Sequence, residues 1–329
     1  MPQLVGKQVG PTGYGLMGFC TKNPPTPQEQ AFKAMRAALE SGANFWNAGE
    51  FYGSPDWNTQ KLLAAYFKQY PEDAEKVVLS VKGAFLFPQM IPDCSPAGLK
   101  RSIDACLADL DGTHKIDIFE PARVDPKVPL EETLKFLEDE YVSKGVIGGI
   151  GLSEVSAATI RKAVKITKIA AVEVEISLWA THTLENGVAE ACAEFGIPLI
   201  AYSPIGQGML TGQIKTLDDL AADDFRRHYP RFYPENFHLN IQLVSELNEL
   251  AKKKGFTPAQ LAINWVKALS KKAGYPTVIP IPGATTAERV KENNVDVELT
   301  SEDLAKIDET LKKFEISGRR YPDAVPIDT

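Results

Sequence analysis

The chain is poor in metal-binding and redox residues, with 4 cysteines and 4 histidines in 329 residues. Cys20, Cys94, Cys106 and Cys192 are scattered and form no CxxC pair, so the pattern offers neither a zinc site nor a disulfide framework. Sparse, unpatterned thiols fit a reducing compartment. His114, His182, His228 and His238 lack metal-ligand spacing and read as structural or solvent-facing. No apolar run approaches the roughly 20 residues of a membrane helix, and residues 1–11 hold no apolar signal core. Basic runs are absent too. With 36 Lys and Arg against 43 Asp and Glu, the net charge is −7, and nucleic acid is not an expected partner. The expectation is a soluble cytoplasmic protein acting on a small molecule, with exchange into the nucleus left open. Oligomeric state is not readable.

What is present is a hydrophobic content of 44% and a repeated alternation of strand-like and helical segments. Strands are expected at Gly15–Phe19, Asn44–Asn47, Val77–Val81, Ile116–Phe119, Val146–Leu152, Ala171–Ile176, Pro198–Tyr202 and Thr277–Ile281. Helical patterns occupy Pro27–Ser41, Ser95–Leu110, Leu130–Lys144, Ala157–Ile166, Leu184–Phe195, Leu243–Lys254, Pro258–Ala268 and Thr286–Asn293. Ser95-Pro96 supplies an N-cap and a first-turn proline. Such alternation implies parallel strands with crossover helices. Eight units over residues 1–329 predict a single α/β domain, a (β/α)₈ TIM barrel with long loops at its C-terminal face. The G-x-G-x-x-G spacing at Gly13–Gly18 would suit a doubly wound sheet, but a proline-rich loop follows it, and no acidic residue ends a clear second Rossmann strand. These glycines are therefore read as the first barrel strand and its loop. The connection Gly206–Asn240 is long enough to expect a function. The tail Glu315–Thr329 either folds over the catalytic face or hangs free.

The run Phe45-Trp46-Asn47-Ala48-Gly49-Glu50-Phe51-Tyr52-Gly53 resembles the D-x-A-x-x-Y-G signature of the aldo-keto reductases. Further segments agree in order and spacing: Val81-Lys82, Val124-Asp125-Pro126, Gly151-Leu152-Ser153-Glu154, Ala201-Tyr202-Ser203-Pro204, and Ile279-Pro280-Ile281-Pro282-Gly283 with Glu292-Asn293. The resemblance spans nearly the whole chain. Trp46–Gly53 and Ala122–Pro129 are most similar to the fungal pyridoxal-reductase branch of that family. The implied activity is reduction of pyridoxal, an aromatic aldehyde, to pyridoxine with NADPH. Two alternatives stay open: a general aldehyde or ketone reductase, and a cofactor-binding regulatory subunit with little catalysis.

Carbonyl reduction needs a hydride donor and an acid for the developing alkoxide. A tyrosine suits the second role when a nearby cation lowers its pKa from about 10. Tyr52 and Lys82 fall at strand ends, where barrel enzymes place their chemistry. The usual aspartate of the family is Asn47 here, and the usual histidine falls on Ala122. The expectation is that Lys82 lacks an anionic partner at that position and acts more strongly on Tyr52, easing its ionisation. Whether Glu50 or Glu120 partners Lys82 is left open. The resemblance places Ser153 and Glu154 at the nicotinamide carboxamide, although relatives have asparagine at the latter position. Glu173 stands where they have glutamine, and Tyr202 would stack on the nicotinamide. Gly206, Gln207, Gly208, Leu210 and Gly212 suit a loop approached by a pyrophosphate. Gly283 opens a turn into the helix, with Thr285, Thr286 and Arg289 for the 2′-phosphate and Glu292 and Asn293 for the adenine. Trp46, Ala122 and Trp179 are expected to line the substrate pocket. No metal is expected. Arg226, Arg227 and Arg231 in the seventh loop are either a phosphate flap or partners of Asp223 and Asp224.

Overall fold

In a computed structural model, which describes residues 1–322, 325–327 and 329, eight strands lie parallel in one sheet. They are β1 (Tyr14–Gly15), β2 (Phe45–Gly49), β3 (Val78–Gly83), β4 (Ile118–Pro121), β5 (Ile150–Ser153), β6 (Ile169–Glu175), β7 (Leu199–Tyr202) and β8 (Val278–Pro280). Neighbours in sequence are neighbours in the sheet. The Gly13 and Gly15 amides donate to the Pro280 and Pro282 carbonyls at 2.9 and 3.2 Å and close the barrel. That closure requires glycine. A Cβ at position 13 would stand 2.7 Å from the Phe45 carbonyl oxygen, and one at position 15 would stand 3.0 Å from that of Ile281. The expected first strand at Gly15–Phe19 is thus misplaced. The close approach is made by Tyr14 and Gly15, and Met17–Cys20 already forms a helical turn.

The helices are α1 (Gln28–Glu40), α2 (Thr59–Gln69), α3 (Pro96–Leu110), α4 (Leu130–Leu137), α5 (Ala157–Ala163), α6 (Val188–Phe195), α7 (Pro234–Lys254), α8 (Pro258–Ala268), α9 (Ala287–Asn293) and α10 (Ser301–Lys313). Helix α2 was not anticipated, although its signals are ordinary ones. Asn58 accepts from the Gln60 and Lys61 amides as N-cap, and Leu62, Leu63, Tyr66 and Phe67 form one buried face. Helix α10 was also missed, despite its Thr300–Asp303 capping box. Helix α7 starts at Pro234, earlier than its apolar period suggests, because a proline suits the first turn. The Ser95 cap appears as expected, accepting from the Gly98 amide at 3.1 Å.

Strand alternation sorts the side chains into two sets. Trp46, Leu79, Val81, Phe119, Leu152, Val172 and Val174 face the helices. Phe45, Val78, Ile118, Ala171, Ile200 and Ile279 point inward and fill the lower barrel. A hairpin of Gln3–Leu4 and Lys7–Gln8 brings Leu4 and Val9 against this floor. Each such buried side chain contributes roughly 1.5–3 kcal/mol. The floor therefore helps offset the several kcal/mol needed to desolvate each ion held above it.

Candidate active site

Above the floor the inward positions turn polar. Register pairs Gly49 with Lys82 and Lys82 with Glu120, placing Lys82 and Glu120 side by side. Glu173 approaches from β6. Lys82, Glu120, Glu173 and Asn47 are each at most 5% exposed. The Lys82 ammonium is ion-paired to the Glu173 carboxylate and lies 3.3 Å from Glu120 Oε1. The second Glu173 oxygen, Oε2, accepts from Asn47 Nδ2 at 2.7 Å. Gly151 makes room for this cluster. A Cβ there would stand 3.0 Å from Glu120 Cβ and 3.1 Å from its carboxylate oxygen Oε2.

The Tyr52 ring lies partly exposed over Gly49, where a Cβ would stand 3.0 Å from it. The strand register sets Gly49 beside Lys82, so the ring lies close to the ammonium and the Lys82 charge acts on its hydroxyl. Burial pushes that hydroxyl above the ordinary tyrosine range. Lys82 pulls it down, Glu173 and Glu120 push it up, and the upward causes win. Burial opposes the charge on Lys82, but Glu173, Tyr52 and Glu120 together hold its pKa well above that of a free lysine. Burial and the adjacent Glu173 push the Glu120 carboxyl well above the usual carboxylate range, against the pull of Lys82. Two sequence expectations are corrected here. Lys82 does have an anionic partner, Glu173 on β6 instead of a residue of β2, and Tyr52 is not eased into ionisation. Glu50 is not the partner, since its carboxylate binds Arg101 and Ser102.

A second buried cluster sits beside the first. Arg320 from the C-terminal segment donates to Glu154 at 2.8 and 3.3 Å and to Glu175 at 3.1 Å. The Tyr202 hydroxyl donates to Glu154 at 2.9 Å and lies 2.8 Å from the Tyr321 hydroxyl. The Tyr202 ring faces Lys82, with its centroid 5.9 Å from Nζ, and so joins the two clusters. Burial opposes the charge on Glu154, but Arg320, Arg123 and Tyr202 together hold its carboxyl below the usual range. Burial raises that of Glu175. Glu154 and Ser203, just past β5 and β7, have φ of 53° and 49°. Such left-handed, non-glycine backbone commonly gathers at functional sites. The tail therefore folds over the barrel mouth. Of the two alternatives for the tail, which carries Arg320 and Tyr321, the docked one holds. Glu175 is not among the sequence candidates; its signal is Val172-Glu173-Val174-Glu175, in which two glutamates two apart point to one face of a buried strand.

The remaining candidates divide. Ser153 Oγ is buried at the end of β5 without a hydrogen-bond partner, as is Gln207 Oε1 in the seventh loop. Gly206, Gln207 and Gly208 all have positive φ there, and Leu210 is buried beneath them. An orphaned hydroxyl and an orphaned amide oxygen along one rim fit a polar ligand such as a nicotinamide nucleotide. Glu154 and Glu173, expected at the carboxamide, are engaged by Arg320 and Lys82 instead. Thr286 caps α9 by accepting from the Arg289 amide, and the exposed Arg289 guanidinium donates to Gln213 at 3.2 Å. Gly283, Thr285 and Glu292 lie along the same segment, and Asn293 is buried. Ala122 is buried just past β4, and Trp179 is buried beneath the seventh loop. Trp46 does not line a pocket. It sits one position off the inward set, packs on Tyr14, Tyr66 and Phe67, and donates to the Ala43 carbonyl. Arg226 grips Asp224 with two donors and reaches the Gln207 carbonyl at 2.6 Å. Arg227 and Arg231 bind backbone carbonyls. No helix among the described residues is long and apolar enough to cross a membrane.

A closed parallel barrel carries Tyr52 beside a buried Lys82 at the C-terminal ends of its strands, an arrangement suited to carbonyl chemistry. The Aldo/keto reductase family model matches residues 11–312, and the chain belongs to that family of oxidoreductases. It is 42% identical over 328 residues to "Probable pyridoxal reductase 2" of Schizosaccharomyces pombe, covering 98% of this chain and 97% of that protein. It is 37% identical over 331 residues to "Putative pyridoxal reductase" of Saccharomyces cerevisiae, covering 94% and 95%. The fold matches the glycerol dehydrogenase AKR11B4 of Gluconobacter oxydans at a TM-score of 0.81 and 20% identity, over 94% of each chain.

Proposed function

We propose that this protein reduces pyridoxal to pyridoxine with NADPH, with Tyr52 as the proton donor and Lys82 as its electrostatic partner. The observation that carries the reading is the Tyr52 ring packed over Gly49, whose strand register sets it beside the buried Lys82 at the barrel mouth. The names of the two fungal relatives support pyridoxal as the aldehyde.

The reduced nicotinamide supplies the hydride. Ser153 would hold its carboxamide and the Tyr202 ring its flat face, while Gly206, Gly208 and Leu210 flank the pyrophosphate. Gly283, Thr285, Thr286 and Arg289 would take the 2′-phosphate, with Glu292 and Asn293 at the adenine. Arg289 favours NADPH over NADH, because a guanidinium binds phosphate through two donors. Tyr52 keeps its proton at neutral pH, since burial holds its hydroxyl above the ordinary range. It releases that proton when negative charge develops on the carbonyl oxygen, and Lys82 then faces the phenolate. Preorganised charge of this kind needs no rearrangement as the reaction proceeds. Ala122 leaves space where a larger side chain would crowd a substituted ring, with Trp179 as a further wall.

The test follows NADPH absorbance with pyridoxal for wild type and Tyr52→Phe. Turnover by wild type and a loss of about 10²–10⁴-fold in the variant are expected for removal of a general acid. Undiminished turnover in Tyr52→Phe overturns the acid role. A silent wild type that still binds NADPH moves the proposal to other aldehydes, and silence with those favours a regulatory subunit.

A further inference from the structure

We infer that Glu173 is the counter-ion that positions Lys82, and that Asn47 must be an amide because its N–H holds this carboxylate in place. The inference rests on the reading of Lys82 as the partner of Tyr52. It concerns positioning residues, since neither side chain is assigned contact with the substrate.

The geometry allows few other arrangements. Glu173 Oε1 takes the Lys82 ammonium, and Oε2 accepts from Asn47 Nδ2 at 2.7 Å. All three side chains are buried, so water cannot substitute for a missing partner. An amide has donors to offer an ionised carboxylate, whereas an ionised carboxylate accepts only. An aspartate at 47 would set a second carboxylate oxygen against Glu173 Oε2, and like charges that close cannot both ionise. Lys82 would then face three acids, counting Glu120 at 3.3 Å. Conversely, a glutamine at 173 would leave Asn47 facing another amide. It would also leave the ammonium with only Glu120, at 3.3 Å and without the close contact that Glu173 makes. The site therefore has room for one acid and one amide across the 47–173 contact, on either side. Asn and Asp are nearly isosteric, as are Glu and Gln. Exchanging the two therefore preserves the atoms, the net charge and the hydrogen bond, now donated by the amide at 173.

The experiment compares wild type, Asn47→Asp, Glu173→Gln and the double variant Asn47→Asp/Glu173→Gln. It reads kcat and KM for pyridoxal with NADPH, and the urea midpoint of unfolding. Each single variant is expected to lose about ten-fold or more in kcat, with KM changed by less than about three-fold. The double variant is expected to regain most of that loss. Its urea midpoint should lie above the value obtained by adding the two single shifts. A double variant whose losses are the sum of the singles overturns the inference. If a single variant fails to fold, recovery of folding in the double supports the exchange, and a double that also fails overturns it. The unfolding midpoints separate this inference from the proposed activity. If pyridoxal turnover is absent throughout, the substrate reading fails while the 47–173 coupling is still read from stability.

Discussion

Two ion clusters share the barrel mouth, and they are built differently. The Lys82 cluster comes wholly from strands β2, β3, β4 and β6, held in register by backbone hydrogen bonds. The Arg320 cluster joins strand-end glutamates to a cation from a tail about 150 residues further along the chain. In the first, one lysine stands between two acids, closely paired to Glu173 and 3.3 Å from Glu120. In the second, one arginine bridges both acids. The strand cluster is suited to holding a reacting group still. The tail cluster makes the mouth depend on whether a distant segment is docked.

Removing the arginine gives the largest expected effect. Arg320→Ala leaves Glu154 and Glu175 buried without their shared cation and should destabilise by about 3–5 kcal/mol, read as a lower urea midpoint. A loss below about 1 kcal/mol would mean that the tail leaves the mouth readily, and the contrast between the clusters would dissolve. Next comes Gly151→Ala, which presses on Glu120 from the neighbouring strand. Destabilisation of about 1–3 kcal/mol is expected from overpacking, with slowed turnover as Lys82 loses Glu120. An unaffected variant would show that the strand cluster is looser than its register suggests.

The gentlest probe is pH, and Glu154 and Glu120 should answer with opposite signs. The folded pKa of Glu154 is depressed, so its contribution is present above the ordinary glutamate pKa of about 4.3 and is lost as pH falls through the folded value. The folded pKa of Glu120 is raised, so its contribution is present in acid and is lost as pH rises from about 4.3 through the folded value. Unfolding free energies across acid and neutral pH should therefore flatten on the alkaline side in Glu120→Gln and on the acid side in Glu154→Gln. The same change in both variants would refute the opposite directions of these two shifts.

Local patterns carried most of the fold into the sequence. Seven of the eight expected strands overlap observed ones, because short β-rich apolar runs mark strands buried on both faces, and the Ser95 cap is readable on its own. Helix α2 was missed because it begins in a polar loop, where attention falls on Tyr52. The pairing of Tyr52 with Lys82 was legible because both close strands at the same level. The partner of Lys82 was not, because Glu173 lies two strands away from Glu120 in the barrel order and 91 residues from Lys82 in sequence. Trp46 was misjudged by one position, and on a strand one position reverses the face. The role of Arg320 depends on where the tail lands, which no spacing encodes.

The hairpin beneath the barrel has a consequence for proton traffic. With Leu4 and Val9 against a floor of Phe45, Val78, Ile118, Ala171 and Ile200, the cavity holding Lys82 is corked from below. Exchange with water is left to the side by which an aldehyde would enter. On the proposed mechanism, a ligand seated in the mouth would act as a stopper, and the proton given up by Tyr52 would be replaced only after the ligand leaves.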